Sequence, residues 1–302
     1  LLKASYIPNK DQRELRELVK YRKSLTEERT RELNRLQKML EGANIKISGT
    51  IKDINGKSSR NILELIVSGE TIDSARYDLL YKQKAIAHNL KASKEQIIDD
   101  LNGVMMDLQR KVMRVLLRHV DELTAHISEL DDDIDNFMKP EEKQAAKKIQ
   151  QVPGIGNTSA QAVIAVIGTD MDRFPTQAHI ASWAGLCPGD NTSAKKRKSG
   201  KTRKGNQLLR ATLVNCAHSA VKNKASYFYA QYMRISAHRG KKRAIVAVAH
   251  SILIAIFHIL KCDYPFRDLG ADYYNQFNRE RKISAYLKKL KALGWEPSPA
   301  AC

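Results

Sequence analysis

The chain has 302 residues, with 52 Lys+Arg against 33 Asp+Glu, a formal net charge of +19 and an isoelectric point near 9.7. That excess points to a polyanionic partner, nucleic acid before membrane, bound with an affinity that weakens as salt rises. The length allows two domains with real cores. The four cysteines (Cys187, Cys216, Cys262 and Cys302) are scattered without a C-x-x-C pair, which argues for reduced thiols over a disulfide scaffold or a thiolate metal site.

Leu1 to Pro8 is apolar and reads as the end of a linker leaving another domain, with the boundary at residue 10. From Asp11 the composition turns helical, free of Gly and Pro until Gly42, with Leu15, Leu18, Leu25, Leu36 and Met39 on one stripe. Arg22, Arg29 and Glu32 interrupt that stripe, so the helix packs on one side and offers cations on the other, for nucleic acid or for salt bridges. The stretch GANIKISGTIKDING breaks it. Shorter helices are predicted at about Ser59 to Val67, Ser74 to Leu90 and Ser93 to Leu101, the last leading into a second long one. There Met113, Leu116, Val120, Leu123, Ile127, Leu130, Ile134 and Phe137 alternate by three and four, the pattern of a coiled-coil seam. The seam pairs either with the first long helix or with another protomer, and residues 11–146 form a coiled-coil arm. His119 and His126 flank it as structural histidines. Asp131, Asp132, Asp133 and Asp135 crowd together in sequence. Consecutive helical positions point in different directions, which predicts a solvated acidic turn and no metal site in this chain.

A second domain is predicted over 147–262. The segment IQQVPGIGNTSAQAVIAVIG has the pattern of a helix-hairpin-helix. Gly154 and Gly156 permit a tight turn, Asn157, Thr158 or Ser159 caps the next helix, and the amides at its start suit a backbone phosphate. FPTQAHIASWAGL is a short amphipathic helix carrying Trp183. Next comes PGDNTSAKKRKSGKTRKGNQLLR, in which Lys195, Lys196, Arg197, Lys198, Lys201, Arg203 and Lys204 place seven cations without an acid. Such a run repels itself, so it is solvated or neutralised by a polyanion. A hydroxyl beside a phosphate-binding loop is a nucleophile candidate toward a phosphodiester, and Thr192, Ser193, Ser199 and Thr202 all qualify. A helix from Gln207 to Lys222 follows, then SYFYAQYMR. Its Phe228 and Tyr232 sit at helical spacing and read as core before base-stacking aromatics. Arg239, Lys241, Lys242 and Arg243 form a further basic cluster. The apolar run Ala244 to Leu260 reads as a buried helix, short for a bilayer and interrupted by His250, Ser251 and His258. Residues 263–302 hold a basic amphipathic helix and tail. The fold class is therefore mainly α: long coiled-coil helices followed by a compact helical domain.

In their order, QVPGIG, FPTQAHIASWAGLCPG, the serine-bearing basic loop, GNQLLRATL and YMRISAHRGKKRAIVAVAHSIL resemble the C-terminal domain of the DEDD-type insertion-sequence transposases, the bridge-RNA-guided recombinases. The resemblance spans about Ile149 to Lys261 and implies a bacterial or archaeal cytoplasmic enzyme that cuts and rejoins DNA through a serine nucleophile. It implies partners as well: DNA, an element-encoded guide RNA, and further copies of the chain as a dimer or tetramer, with no membrane. The family serine follows the Pro of the GL-x-P turn and precedes the basic run and a Gly-Asn pair. That pattern falls on Ser193, with Ser199 as the alternative. Family members also carry an N-terminal RuvC-like domain whose four acidic residues hold Mg2+. No such segment is present here, so the resemblance implies a cofactor whose ligands lie outside this chain. The competing reading is a catalytically inactive nucleic-acid-binding scaffold.

Overall fold

The computed structural model describes residues 7–51, 53–87, 90, 92–189, 191–193, 196–199, 202–276 and 279–295. The mainly α prediction holds. The helices in the first half are α1 (Lys10–Gly42), α2 (Ile47–Thr50), α3 (Lys57–Ser68), α4 (Ser74–Lys82), α5 (Lys94–Asp100) and α6 (Asp107–Phe137). The second half has α7 (Pro140–Ile149), α8 (Asn157–Ile167), α9 (Gln177–Trp183), strands β1 (Asn191–Ser193) and β2 (Lys196–Ser199), then α10 (Gln207–Ala220) and α11 (Tyr227–Arg239). It closes with α12 (Lys241–Cys262), α13 (Tyr273–Gln276) and α14 (Arg279–Ala292).

The chain packs as two compact units, one of residues 20–133 and one of 1–19 with 134–302. In the first unit, α1 and α6 run antiparallel. Leu25 packs on Leu123 and Ile127, while Leu36 and Leu40 share a core with Met113 and Leu117. The heptad seam is thus filled by the chain's own first helix and carries no separate argument for a second protomer. Leu117, not Leu116, is the fully buried residue of its turn, because a straight helix of 3.6 residues per turn drifts off a strict seven-residue repeat. Arg22 is not an exposed cation either: it is 4% exposed and donates to Asp131 at 2.7 Å. Glu32 is equally buried beside Arg35 and His119.

One predicted helix ends early. α4 stops at Lys82, and Lys84 adopts a left-handed conformation at φ 55°. α5 matches the predicted Ser93 to Leu101, with those two residues as its caps. Residues 102–106 separate it from α6, and there Gly103 lies so close to the chain near Ala43 that a Cβ would sit 2.3 Å from the Ala43 carbonyl oxygen.

The second unit is built around α12 and α8. Residues Ala160 to Ile167 of α8 are all buried, the mark of a helix enclosed on every side. α12 buries Val248, Ile252, Leu253 and Ile256 against α10, α11, α9 and α7. At 22 residues it exceeds the apolar run 244–260 and is long and apolar enough to cross a bilayer. Its buried residues nevertheless form the centre of this core, each contributing about 1.5–3 kcal/mol by leaving water.

The packing does not divide near residue 147. Leu15 and Val19 of α1 and Ile134 and Met138 from the α6 end belong to this second core. Phe137, placed on the seam by the heptad, is 39% exposed, and the next residue, Met138, is buried in its place. The first turns of α1 also close α8: Gln12 and Arg16 donate to the Ala165 carbonyl, and Arg16 to that of Val166 at 2.6 Å. Two of the last-turn carbonyls that an α-helix cannot satisfy internally are met in this way.

Candidate functional site

The basic run forms an antiparallel hairpin where a solvated loop was expected. Asn191 pairs with Ser199, Thr192 with Arg197 and Ser193 with Lys196, with an irregularity between Asn191 and Thr192. A further bridge joins Pro188 to Thr202. Ser193 is therefore the last residue of β1, at the far end of the ladder, and Ser199 lies nearer its base. At about 3.4 Å per residue, Ser193 is no more than roughly 17 Å along the strand from the Pro188–Thr202 bridge. The side chains of Ser193, Lys196, Arg197, Lys198 and Ser199 lie outside the described residues, as do Lys195 and Lys201 entirely.

The base of the hairpin is clamped by two glycines. Gly185, at φ +71°, ends the α9 turn against the returning chain at Gly205. A Cβ on Gly205 would lie 2.3 Å from the Gly185 nitrogen and 2.4 Å from the Ala184 carbonyl carbon. Immediately after this crossing Asn206 caps α10, its Oδ1 accepting from the Leu209 amide at 3.0 Å. Arg210, one turn further on, donates back to the Gly185 carbonyl at 3.3 Å. The Gly-Asn pair picked out in the sequence thus fixes both the crossing and the start of the helix.

Beneath the hairpin base is a cleft of about 700 Å3. Leu186, Pro188 and Thr202 form one side. Arg210 of α10 and Gln231 of α11 close it, and Lys242, Arg243, Val246, Ala247 and His250 of α12 form the opposite wall. Three of these groups are cationic and none is acidic. Lys242 and Arg243 are exposed, and no described carboxylate pairs with Arg210, Lys242 or Arg243. His250 is half-buried, and desolvation holds its imidazole below the ordinary value of 6.5. Gln231 donates to Ser251 Oγ at 2.8 Å, while its Oε1 is enclosed without a donor. A second cavity of about 480 Å3 lies on the other side of His250, among Tyr227, Phe228, His258, Tyr264 and Phe266.

The structure brings some of the sequence candidates together and separates others. Lys242 and Arg243 share the cleft with Thr202, and Arg203 and Lys204 are exposed beside it in sequence. Arg239 and Lys241 are exposed on either side of Gly240, which turns between α11 and α12 at φ +80°. Gly154, Gly156 and Asn157 lie elsewhere. They belong to the turn between α7 and α8, where Gly154 at φ +88° packs so tightly on α10 that a Cβ would meet the Cys216 carbonyl oxygen at 2.3 Å. Cys216 is six residues beyond Arg210, about 9 Å along the helix axis. The residue capping α8 is Gly156, which has no side chain to make a cap hydrogen bond. Phe228 is core, as its spacing implied.

Arg210, Gln231 and His250 were not singled out from the sequence. His250 was visible there only as a polar interruption of an apolar run, and Arg210 only as part of QLLRATL. The acids 131–135 do not assemble a site: Asp131 pairs with Arg22 and Asp135 with Lys143 at 3.1 Å. Among the described residues no three His, Cys, Asp or Glu side chains come together as metal ligands.

Residues 146–233 match the sequence profile of the Transposase IS116/IS110/IS902 family. This stretch is similar to a transposase domain. It runs from the end of α7 through the hairpin to the middle of α11, and so includes the clamp, Arg210 and Gln231. A curated relative described as a "Probable family 20 transposase", from Pseudomonas aeruginosa, is 28% identical over 113 residues, 37% of this chain. The match spans about a third (32%) of that relative's length. Both similarities are confined to part of the chain, and the two long helices of the other unit lie outside the profile match.

Proposed function

We propose that this chain is the serine-bearing part of a DNA transposase or recombinase, with Ser193 as the nucleophile and Ser199 as the alternative. The observation that carries it is the coincidence of the transposase-like stretch 146–233 with the clamped basic hairpin and the cationic cleft at its base. In the proposed step the Ser193 oxygen bonds to a backbone phosphorus as the bond to one deoxyribose oxygen breaks. The serine proton is released, the leaving oxygen takes up a proton, and the products are a phosphoserine ester and a free deoxyribose hydroxyl. Because the ester replaces an ester, the strand can be rejoined to a different hydroxyl by the reverse step without ATP.

A serine hydroxyl is a weak nucleophile until its proton leaves. The cations of the basic run, Lys195, Lys196, Arg197 and Lys201, serve the other half of the task by offsetting charge that develops on the phosphoryl oxygens. In this reading Mg2+ belongs to a RuvC-like domain outside this chain, guide RNA selects the target, and the protein contributes backbone and shape contacts. Gly154, Gly156 and Asn157, with the further cations Lys198, Arg203, Lys204, Arg239, Lys241, Lys242 and Arg243, serve as nucleic-acid contacts. Assembly is as a dimer or tetramer.

The test uses the protein in its natural reading frame, its RNA and supercoiled DNA carrying the element ends, with covalent protein–DNA adducts resolved on a denaturing gel. Ser193→Ala is expected to abolish the adduct and leave nucleic-acid affinity within about twofold, while Ser199→Ala retains it. An adduct that persists in Ser193→Ala and is lost in Ser199→Ala moves the nucleophile to Ser199. Binding with no adduct from the unmodified protein favours the inactive scaffold.

A further inference from the structure

We propose that the cleft at the hairpin base is a pocket for one unpaired nucleotide of the bound strand. Its phosphates lie on Arg210, Lys242 and Arg243, and its base lies against Val246 and Ala247. The proposal rests on the nucleic-acid reading above and adds the state of the substrate at this point, single-stranded and within about five nucleotides of the phosphate at the hairpin tip. That bound follows from the span of roughly 17 Å and the stacked per-strand rise of about 3.4 Å per nucleotide, which an unpaired strand only exceeds.

Charge placement is the first support. Lys242 and Arg243 stand in the first turn of α12, a 22-residue helix whose first turn has no acid and whose start has no side-chain cap. Cations there oppose the positive end of the helix dipole, an arrangement that is unfavourable unless an anion is brought to it. Arg210 reaches the same space from α10, so cations from two elements converge where no described carboxylate answers them.

Shape and polarity supply the rest. A bare phosphate needs neither about 700 Å3 nor an apolar wall, whereas pockets of this size, mostly apolar with a few fixed polar groups, suit a ligand of nucleotide dimensions. Leu186, Val246 and Ala247 provide surface for a base, and His250 stands at the same wall as a hydrogen-bonding edge. Gln231 Oε1 is enclosed without a donor. An unmet acceptor beside an open cleft marks a wall whose polar groups are not settled by the protein alone. A duplex keeps its bases stacked and paired, so only an unpaired or extruded nucleotide can enter.

The test is fluorescence anisotropy on the full chain with a fluorescein-labelled oligodeoxythymidylate of about twelve nucleotides and, separately, a duplex of equal length, with inorganic phosphate as competitor. Ala247→Trp occupies the base wall of the cleft without altering charge and is expected to weaken single-strand binding about tenfold, equivalent to about 1.4 kcal/mol, with duplex binding within about twofold. Arg243→Ala, at an exposed position, is expected to lower the salt slope for the single strand by about 0.7, and it keeps the pocket testable should the melting curve of Ala247→Trp show that variant misfolded. Equal losses for both substrates, no loss in either variant, or displacement of the oligonucleotide by millimolar phosphate alone overturns the pocket while leaving nucleic-acid binding intact. Failure of the unmodified chain to bind either substrate overturns the nucleic-acid reading itself.

Discussion

Gly205 shows how a single missing Cβ positions a site. The chain leaving α9 and the chain entering α10 cross at Gly185 and Gly205, and a methyl group on Gly205 would overlap the Ala184–Gly185 peptide, the nearest atom at 2.3 Å. Backbone cannot swing away as the end of a side chain can, so Gly205→Ala is expected to cost roughly 1–3 kcal/mol, within the usual range for a substitution that forces such a shift. Urea unfolding of both proteins measures it, and an unchanged midpoint would mean that the crossing opens freely. His250 adds a pH dependence. Burial lowers its folded-state value below 6.5, so as pH falls through that value the unfolded chain takes up a proton that the folded chain refuses. Stability is then lost on acidification, until the folded state protonates as well. The charged groups that share the cleft with it, Arg210 of α10 and Lys242 and Arg243 of its own helix, carry no negative charge to retain a proton. Arg267 on the side of the second cavity adds another cation, and His258, Tyr227 and Tyr264 are the titratable groups there. His250→Gln is expected to flatten the fall in melting temperature between about pH 7 and pH 5; an equal slope in both proteins would place the acid sensitivity elsewhere.

Among the elements, α6 was the most legible and the hairpin the least. The seam residues Met113, Val120, Leu123 and Ile127 were readable because a helix buries one stripe, and all four are buried. Leu123 packs in a small cluster with Leu25 and Ile127, so Leu123→Ala is expected to destabilise the 20–133 unit by about 2–5 kcal/mol. Hydrogen exchange in α6 reads this out directly, and unchanged protection there would show that the antiparallel pair does not depend on its seam. What the sequence could not disclose was set by contacts distant along the chain. Nothing local marks Gly103 as a point of close approach to Ala43, or Gln12 and Arg16 as the groups that close α8. The basic run offered charge but no alternation of apolar residues, so its pairing as strands had no sequence pattern to announce it. The site was legible to the same extent: Lys242 and Arg243 were visible as a cluster, whereas Arg210 and His250 join them only after α10 and α12 have packed.

For the whole molecule, the net charge of +19 predicts association with polyanions but does not say where on the surface it acts. The fold localises part of the answer. Many cations of the 20–133 unit are already engaged, as with Arg22 and Asp131 or Arg60 with Glu64 and Asp121. Arg210, Lys242 and Arg243 converge on the cleft with no described carboxylate partner. Affinity for a nucleic acid falls with salt by about 0.9 logarithmic units per phosphate contacted on a duplex, or about 0.7 on a single strand. If Lys242 and Arg243 each neutralise one phosphate, changing both to Ala lowers the single-strand slope by about 1.4, while an exposed pair in the other unit, Lys57 and Lys82, provides the comparison. Titrations of the full chain at several salt concentrations measure both slopes. A slope that falls equally for the two pairs would mean that the charge acts as a diffuse field over the whole surface. A fall confined to Lys242 and Arg243 assigns phosphate contact to the face that also carries the hairpin.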